Sequence, residues 1–301
     1  MRATWGLIVA VLVGGCKHEP GSVTLVQGAV KLECDEAVYR AFENESSEFQ
    51  SLYPGSKLRL QQAEAREAIS DFGADSVRLI VTARELNNEE RAALKGGKVP
   101  LDEYKVAMSA VAVIVNPSNP LKRVRLTQLD SIFGGALTRW PGGTLIEAVA
   151  GGRNSSTNEA FRTVVLKGKE FGPTVEYADT SAARIERVER TPGAVALVPV
   201  TWLKGTEGKV TVLEVGAPEY RPDTTAAPGQ YYAPWQAYVF LGYYPISTPV
   251  FMYSRAVEQD VSLGFISFVS SAPGQKVIQN NGLVPVTMPV RLVSLTSQQV
   301  K

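Results

Sequence analysis

The sequence predicts an α/β protein in which strands and helices alternate along an open sheet. Runs with strand periodicity are followed repeatedly by runs with helical periodicity, which is the pattern of this fold class. The chain of 301 residues is long enough for about two domains. Its composition, 45% hydrophobic and 20% charged, is typical of a globular protein and excludes a disordered chain, a coiled coil and a multi-span membrane protein.

The N-terminal residues 1–15 have the features of a secretory signal peptide. An apolar run of about nine residues, 5–13, is too short for a transmembrane helix of about 20 residues. Residues 12–16 resemble a bacterial lipobox, so we expect cleavage before Cys16 and a lipid on its side chain. An ordinary signal peptide with an incidental cysteine is the alternative. We predict that residues 16–27 form a lipid-anchored tether outside the cytoplasm.

The first part of the body alternates regularly between strand and helix. The apolar spacing predicts strand 30–34, helix 35–52, strand 57–60, helix 63–72, strand 77–81 and a further helix capped by Asn87 and Glu90. A long apolar strand, 106–115, follows and ends at a turn that contains two prolines.

The alternation continues with shorter elements after residue 120. We predict helices at 127–133, 157–166, 181–190, 261–269 and 273–280, and strands at 146–150, 175–178, 194–199, 210–215 and 250–253. Because helix 181–190 is rich in charge, we expect it to lie on the surface. The stretch 219–234 is rich in Pro and Tyr, and we predict a long loop there.

Charge and histidine content exclude several classes of function. A net charge of +1 gives no reason to expect a nucleic-acid partner. The single histidine, His18, lies too near the N-terminus to serve in a Ser-His-Asp triad, a zinc site or a Cys-His dyad. The sequence has no P-loop and no dinucleotide-binding glycine motif after a strand. We therefore predict no enzymatic activity, no metal and no cofactor.

The most specific local motif follows strand 146–150 and opens the next helix. It consists of Arg153, Asn154, Ser155, Ser156 and Thr157. Unpaired N–H groups and the helix dipole favour an anion at a helix start, and hydroxyls and a guanidinium add donors. The alternative is a plain helix cap, with Ser156 and Glu159 as a capping box, beside a surface arginine.

Two other strand ends carry polar residues. One reads Thr82, Ala83 and Arg84, and ligands bind beyond such strand ends in open α/β sheets; the alternative is that Arg84 is a surface cap. At the other, Asp35 is an N-cap or, if it faces a cleft, a proton acceptor from a protonated oxyanion. An acid-base pair of Asp35 and Glu36 is disfavoured because adjacent residues rarely point at one centre.

Two remaining features are predicted to be structural. Cys34 is a candidate thiolate at a helix start, but its strand position favours a buried small hydrophobe. If Cys16 carries a lipid, Cys34 has no partner for a disulfide. The aromatic stretch 231–244 is a candidate sugar platform, but we expect it to pack in the core and at a hinge.

Together these motifs resemble the PstS-like phosphate-binding proteins of bacterial ABC transporters, a branch of the type II periplasmic binding proteins. The matching stretches are 82–90, 110–120, 126–134, 153–157, 244–249, 264–268, 273–276 and 282–285. The resemblance implies two α/β lobes, each a mixed sheet flanked by helices, with a ligand cleft between them. Lobe I would comprise 28–108 and 247–301, and lobe II would comprise 109–246, with crossings near 106–112 and 243–250.

The resemblance also implies a function and a set of ligand residues. The protein would be a monomeric, extracytoplasmic lipoprotein that captures inorganic phosphate for an ABC importer and docks on its permease. The family's Arg-x-x-Ser-Gly-Thr loop matches residues 153–157, where Ser156 replaces the usual glycine. The family's serine-arginine loop matches Thr82, Ala83 and Arg84, and Asp35 is a further candidate acceptor.

Two departures from the family pattern add negative charge near the expected anion. Residues 33–36, with Asp35 and Glu36, replace a loop of glycine and hydroxyl residues, and Glu64 lies where a glycine-rich turn is usual. One unit pair at about 4 Å and an effective dielectric near 20 costs about 4 kcal/mol. These carboxylates must therefore turn away or pair with Arg66 or Arg84. Otherwise the ligand is another oxyanion or an acidic organic solute, or the chain is an envelope interaction protein that has lost its ligand.

Overall fold

The computed structural model describes residues 24–216, 230–255 and 259–287. The predicted signal peptide, Cys16 and most of the predicted loop 219–234 lie outside the described residues. The first elements are β1 (Gly28–Asp35), α1 (Tyr39–Leu52), β2 (Ser56–Ala63), α2 (Ala65–Gly73), β3 (Leu79–Thr82), α3 (Asn88–Gly96) and β4 (Asp102–Val115). They confirm the alternation that the sequence predicts.

The middle of the chain forms a second set of strands and helices. These are β5 (Arg123–Arg125), α4 (Leu126–Phe133), β6 (Glu147–Ala150), α5 (Ser156–Val164), β7 (Glu176–Tyr177), α6 (Ser181–Arg190), β8 (Ala194–Pro199), a 3₁₀ turn (Val200–Trp202), β9 (Thr211–Val212) and β10 (Glu214–Gly216). The described C-terminal part adds β11 (Tyr231–Tyr232), α7 (Gln236–Phe240), β12 (Ser247–Ser254), α8 (Val261–Ser270), α9 (Ala272–Asn280) and β13 (Val284–Pro285). The sequence did not predict the short elements β5, β11, α7 and β13.

One long strand joins the two halves of the molecule. The sheet order is β2-β1-β3-β12-β4-β8-β6-β7, and β9 and β13 also pair with β4. The first part of β4 pairs antiparallel with β12, whereas residues 111–115 pair antiparallel with β8. The sheet on the β12 side with α1, α2, α3, α8 and α9 is the first lobe, and β8, β6 and β7 with α5 and α6 are the second. β4 begins earlier than predicted because its polar first residues pair with the end of β12.

Apolar burial explains why the central strands form where they do. Every residue of β8 is buried, as are residues 110–115 of β4, so both strands are covered on both faces. Aromatic pairs fill the space beneath the helices: Phe49 and Phe265 lie 5.5 Å apart in the first lobe, and Phe133 and Phe161 lie 4.7 Å apart in the second. Among the described residues, no helix is both long and apolar enough to cross a bilayer.

Two predicted structural features can be compared directly with the structure. Cys34 is fully buried in β1 as predicted, and burial raises the pKa of its thiol. In the aromatic stretch, Tyr232 packs against Tyr238 and Tyr243, while Tyr244 is buried and donates its hydroxyl to the carbonyl of Val111. These contacts confirm packing for the tyrosines, whereas Trp235 in the same stretch is 50% exposed.

The described start of the chain packs against the first lobe. Residues 24–27, which fall within the predicted tether, form a turn closed by a bridge between Thr24 and Gln27. The carbonyl of Leu25 lies against Gly264 in α8, where any Cβ would collide with it. These residues are therefore part of the packed body.

Candidate functional site

The ends of β1 and β3 meet the amino end of α5 between the two lobes. β1 and β3 are parallel neighbours, so Asp35 and Thr82 lie at the same edge of the first lobe. Ser156, at the start of α5 in the second lobe, faces Asp35 across the cleft. All three residues are almost completely inaccessible to solvent. The structure therefore brings together the three predicted strand-end and helix-start motifs.

Asp35 is held by backbone groups of the first lobe. Its Oδ1 accepts the N–H of Ala37 at 3.1 Å, and its Oδ2 accepts the N–H of Ala83 at 3.0 Å. Burial raises the pKa of this carboxyl, although the Ser156 hydroxyl and the two N–H groups partly lower it. The prediction that Asp35 is a helix N-cap is wrong, because a turn separates it from α1 and Val38 occupies the cap position.

The start of α5 places two buried hydroxyls beside the first lobe. Ser155 is the N-cap and accepts the N–H of Asn158 at 3.3 Å. The predicted capping box from Ser156 to Glu159 is wrong, since Ser156 is already the first helical residue. The buried Thr157 hydroxyl forms no hydrogen bond, and the buried Ser156 hydroxyl faces the Asp35 carboxyl. A buried polar group without a partner is costly in a folded protein unless a ligand or water satisfies it.

Arg153 does not lie with these buried groups. Its side chain is exposed, and its guanidinium lies over the ring of Tyr177 at 4.2 Å from the ring centroid. The buried amide of Asn158 binds Gly151 and Gly152, which fixes the preceding loop and leaves the side chain of residue 153 outside. The expectation that Arg153 grips an anion is therefore not met in this structure.

Arg84 is buried, but its charge is already paired. Its guanidinium donates to both carboxylate oxygens of Glu90, at 2.8 and 2.6 Å. Its Nε lies 3.2 Å from a carboxylate oxygen of Glu159 in the other lobe. The Thr82 hydroxyl donates to the Arg84 carbonyl at 2.8 Å. Arg84 is therefore not a surface cap; it is a buried cation that links the lobes.

Glu64 extends from the first lobe onto the loop before α5. Its Oε2 accepts the N–H of Asn154 at 2.9 Å. Its other oxygen lies over Gly152, where a Cβ would collide with it. Burial raises the pKa of the Glu64 carboxyl, and the Asn154 N–H partly lowers it. Asn154, a predicted ligand residue, thus binds a carboxylate of the protein itself.

Glu36 forms a third contact between the lobes, which the sequence did not reveal. Its Oε1 accepts the N–H of Ser181 at 2.7 Å, and its Oε2 accepts the Ser181 hydroxyl at 3.1 Å. Arg184 donates to the same carboxylate at 3.3 Å and is fully buried. The expectation that helix 181–190 lies wholly on the surface is therefore wrong. The available signal was that Arg184 lies on the same helical face as Ile185 and Val188.

The arrangement as a whole offers both donors and acceptors to a small polar ligand. The donors are the hydroxyls of Ser156 and Thr157, and Asp35 is the acceptor on the opposite side. These groups can form hydrogen bonds with a small oxygen-rich molecule. Within the described residues, no cluster of His, Cys, Asp and Glu side chains is arranged to hold a metal ion.

The amino-acid sequence of this chain is similar to those of known proteins. A family model described as a PBP superfamily domain matches residues 21–273. The chain is 23% identical to protein SphX of Synechococcus elongatus over 232 residues, which cover 73% of this chain and 65% of that protein. It is 25% identical to the phosphate-binding protein PstS of Bacillus subtilis over 193 residues, or 62% of this chain and 58% of that protein. The chain thus spans less than two thirds of the length of these two relatives.

Solved structures share the architecture. A putative phosphate ABC transporter substrate-binding protein from Clostridium perfringens, with bound phosphate, superposes with a TM-score of 0.73 at 22% identity, covering 86% of this chain and all of that one. An ABC-type phosphate transport receptor from Vibrio cholerae superposes with a TM-score of 0.65 at 18% identity, with 86% and 100% coverage. These similarities confirm the two-lobed α/β fold and the resemblance that the sequence motifs indicated.

Proposed function

This chain belongs to the PBP superfamily, and on that premise we propose that it is an extracytoplasmic, lipid-anchored solute-binding protein. Its proposed ligand is a small oxyanion, inorganic phosphate, which is captured between the lobes and delivered to an ABC permease. Two of the similar proteins are named phosphate-binding proteins. We place the lobe boundaries at residues 108–109 and 246–247, close to the point where β4 changes partner.

The observation that carries this proposal is the pair of buried hydroxyls at the start of α5. Ser156 and Thr157 are 0% and 2% exposed. The Thr157 hydroxyl has no hydrogen-bond partner, and the Ser156 hydroxyl faces Asp35. A bound oxyanion would accept from both hydroxyls and would lie at the positive end of the helix dipole. Asp35, opposite them, would accept the proton of a monoprotonated phosphate. Thr82 and Ala83 shape the floor of this site by holding Arg84 and Asp35 in place.

Calorimetric titration of the full chain with phosphate tests the proposal. We expect saturable binding, and we expect the double variant Ser156→Ala, Thr157→Val to bind at least about tenfold more weakly because two hydrogen bonds are lost. Thr163→Val, on the exposed side of α5, is the matched control and should bind like the wild type. Competition by sulfate, molybdate and small carboxylates identifies the preferred anion. A folded chain that releases no heat with millimolar phosphate would disprove the phosphate assignment.

The lipid anchor needs its own experiment. In a bacterial host fed labelled palmitate, we expect label on the wild type and no label on Cys16→Ser. Cys34→Ser is the control, because Cys34 is buried in β1 and should not affect labelling. Equal labelling of wild type and Cys16→Ser would contradict the lipoprotein assignment.

A second candidate function is an envelope interaction protein that keeps the fold without a ligand. The carboxylates of Glu36 and Glu64 favour it, because both already bind groups of the opposite lobe. This candidate predicts no thermal shift with any anion in the panel. Neither candidate predicts turnover of phosphate esters.

A further inference from the structure

Glu64 lies at the start of α2 in the first lobe. Its side chain contacts the loop that leads into α5, next to the proposed phosphate site. Its carboxylate accepts the N–H of Asn154, and the next contact along, from the N–H of Arg66 to the carbonyl of Asn154, also joins the lobes. These two bonds connect the start of α2 directly to the loop before α5. The first lobe therefore contacts the second lobe directly beside the proposed phosphate site.

The loop is shaped to accept this side chain. Gly152 is buried, and a Cβ at this position would meet the carboxylate of Glu64 before any other group. At the base of Glu64, its own N–H faces the carboxylate of Glu67, which completes a capping box at the start of α2. The backbone of Glu64 is thus held by Glu67, and its carboxylate is held against Gly152 and Asn154.

The charges around Glu64 disfavour a second anion beside it. Burial raises the pKa of Glu64, and the negative charges of Glu67, Asp179 and Asp35 raise it further. Burial lowers the pKa of Arg184, and Glu64 in turn partly raises it. Arg184 is already paired with Glu36, so its charge is not free to balance an incoming ligand. A phosphate next to an ionised Glu64 would face repulsion that only displacement or protonation of this carboxylate removes.

We infer that Glu64 is an internal anion that joins the two lobes and competes with an incoming oxyanion for the loop before α5. The competition rests on the proposed function, whereas the joining of the lobes does not. Glu64 is then the residue that sets the affinity of the site. The chain would bind phosphate only weakly while this carboxylate stays in place.

Two measurements on the full chain test the inference. The first is calorimetric titration with inorganic phosphate of the wild type, Glu64→Ser and Glu85→Gln. Glu85 is an exposed carboxylate of the same lobe, so its variant controls for the loss of one charge. We expect Glu64→Ser to bind phosphate at least about tenfold more tightly than the wild type, and Glu85→Gln to bind like the wild type.

The second measurement reports closure without any anion. Dyes are placed at Lys95→Cys in α3 and Thr163→Cys in α5, two exposed positions in opposite lobes. The chain also carries Cys16→Ser, and Cys34 is buried and does not react. We expect a longer distance between the dyes in Glu64→Ser than in the wild type. An unchanged distance would overturn the inference.

The two measurements separate this inference from the proposed function. If the wild type and Glu64→Ser bind phosphate with the same affinity, Glu64 is not a competitor and the inference fails while the function stands. If neither binds phosphate, the proposed function fails, and the dye distance alone decides whether Glu64 holds the lobes together.

Discussion

The carboxylate of Glu36 and the guanidinium of Arg184 form an ion pair across the two lobes at 3.3 Å. Their side chains are 5% and 1% exposed, so neither charge is accessible to water. Glu36 extends from the turn after β1, and Arg184 lies in the first turns of α6. A buried pair of this kind is strongly destabilised by the loss of one partner, since the remaining charge has no compensation.

The first prediction concerns this pair. Arg184→Met should lower the free energy of unfolding by about 3–5 kcal/mol because it leaves the buried Glu36 carboxylate without a cation, with only its hydrogen bonds from Ser181. The double variant Glu36→Gln, Arg184→Met should regain much of that loss. Urea denaturation of the wild type, both single variants and the double variant gives the coupling energy. Simple additivity of the two single effects would show that the pair does not interact.

The second prediction concerns Glu45, a fully buried carboxyl in α1. Burial raises its pKa to about 9, so it is neutral in the folded protein at pH 7 but ionised in the unfolded chain. Its contribution to stability is complete below about pH 4 and is lost as the pH rises toward 9.

Glu45→Gln should therefore be more stable than the wild type by more than about 1 kcal/mol at pH 8, with a smaller gain at pH values near 4. Denaturation curves at several pH values measure the difference. Glu43→Gln, an exposed change in the same helix, is the control and should show no such trend. A gain that does not depend on pH would contradict the assignment of a raised pKa.

The third prediction concerns Asn158, whose buried amide binds the loop before α5. Its Oδ1 accepts the N–H of Gly151 at 2.8 Å, and its Nδ2 donates to the carbonyls of Gly151 and Gly152 at 2.9 and 2.8 Å. Asn158→Ala should cost at least about 1–3 kcal/mol, because backbone groups lose their partners. Asn158→Asp should cost more, because a carboxylate oxygen would then face two carbonyls.

Thermal unfolding of both Asn158 variants tests this order of effects. Asn44→Ala removes an exposed hydrogen bond to Asn281 and is the matched control, with little expected change. If Asn158→Asp were as stable as the wild type, the amide orientation described here would be wrong.

The fourth prediction uses the close approach of Glu64 to Gly152. Gly152→Ala should change stability by less than about 1 kcal/mol, because the new methyl group meets the end of a flexible side chain that can move away. Gly193→Ala is the contrast, since its Cβ would collide with the backbone carbonyl of Leu145, and it should cost about 1–3 kcal/mol.

Hydrogen exchange of Asn154 gives the second half of that test. Once Glu64 is displaced by Gly152→Ala, the N–H of Asn154 loses its acceptor and should exchange faster than in the wild type. Unchanged protection would mean that Glu64 stays on the loop despite the methyl group.

Local patterns predicted most of the fold. The cap of Asn87 and Glu90 at the start of α3 is present, with the Glu90 N–H donating to Asn87 at 2.9 Å. The apolar runs of β4 and β8 became the buried centre of the sheet because such runs need cover on both faces. The elements that escaped prediction, such as α7, are short and carry too few residues to show a period.

The sequence predicted which elements meet at the candidate site but not the contacts between their side chains. Strand ends and a helix start indicated Asp35, Thr82 and Ser156, because neighbouring strands end at one edge. The partners of Arg84 and Glu64 could not be predicted, since Glu159 and Asn154 come from the other lobe. The position of the Arg153 side chain over Tyr177 was not predictable, because sequence spacing does not tell on which side of a tight loop a side chain emerges.

The continuity of β4 through both lobes determines how the molecule can move. At the crossing, the N–H of Val111 donates to Ile246 at 2.9 Å and its carbonyl accepts from Tyr244 at 2.7 Å. Rotation of one lobe relative to the other must therefore twist the backbone of β4 at this crossing. The two lobes are not free to slide past each other as separate layers.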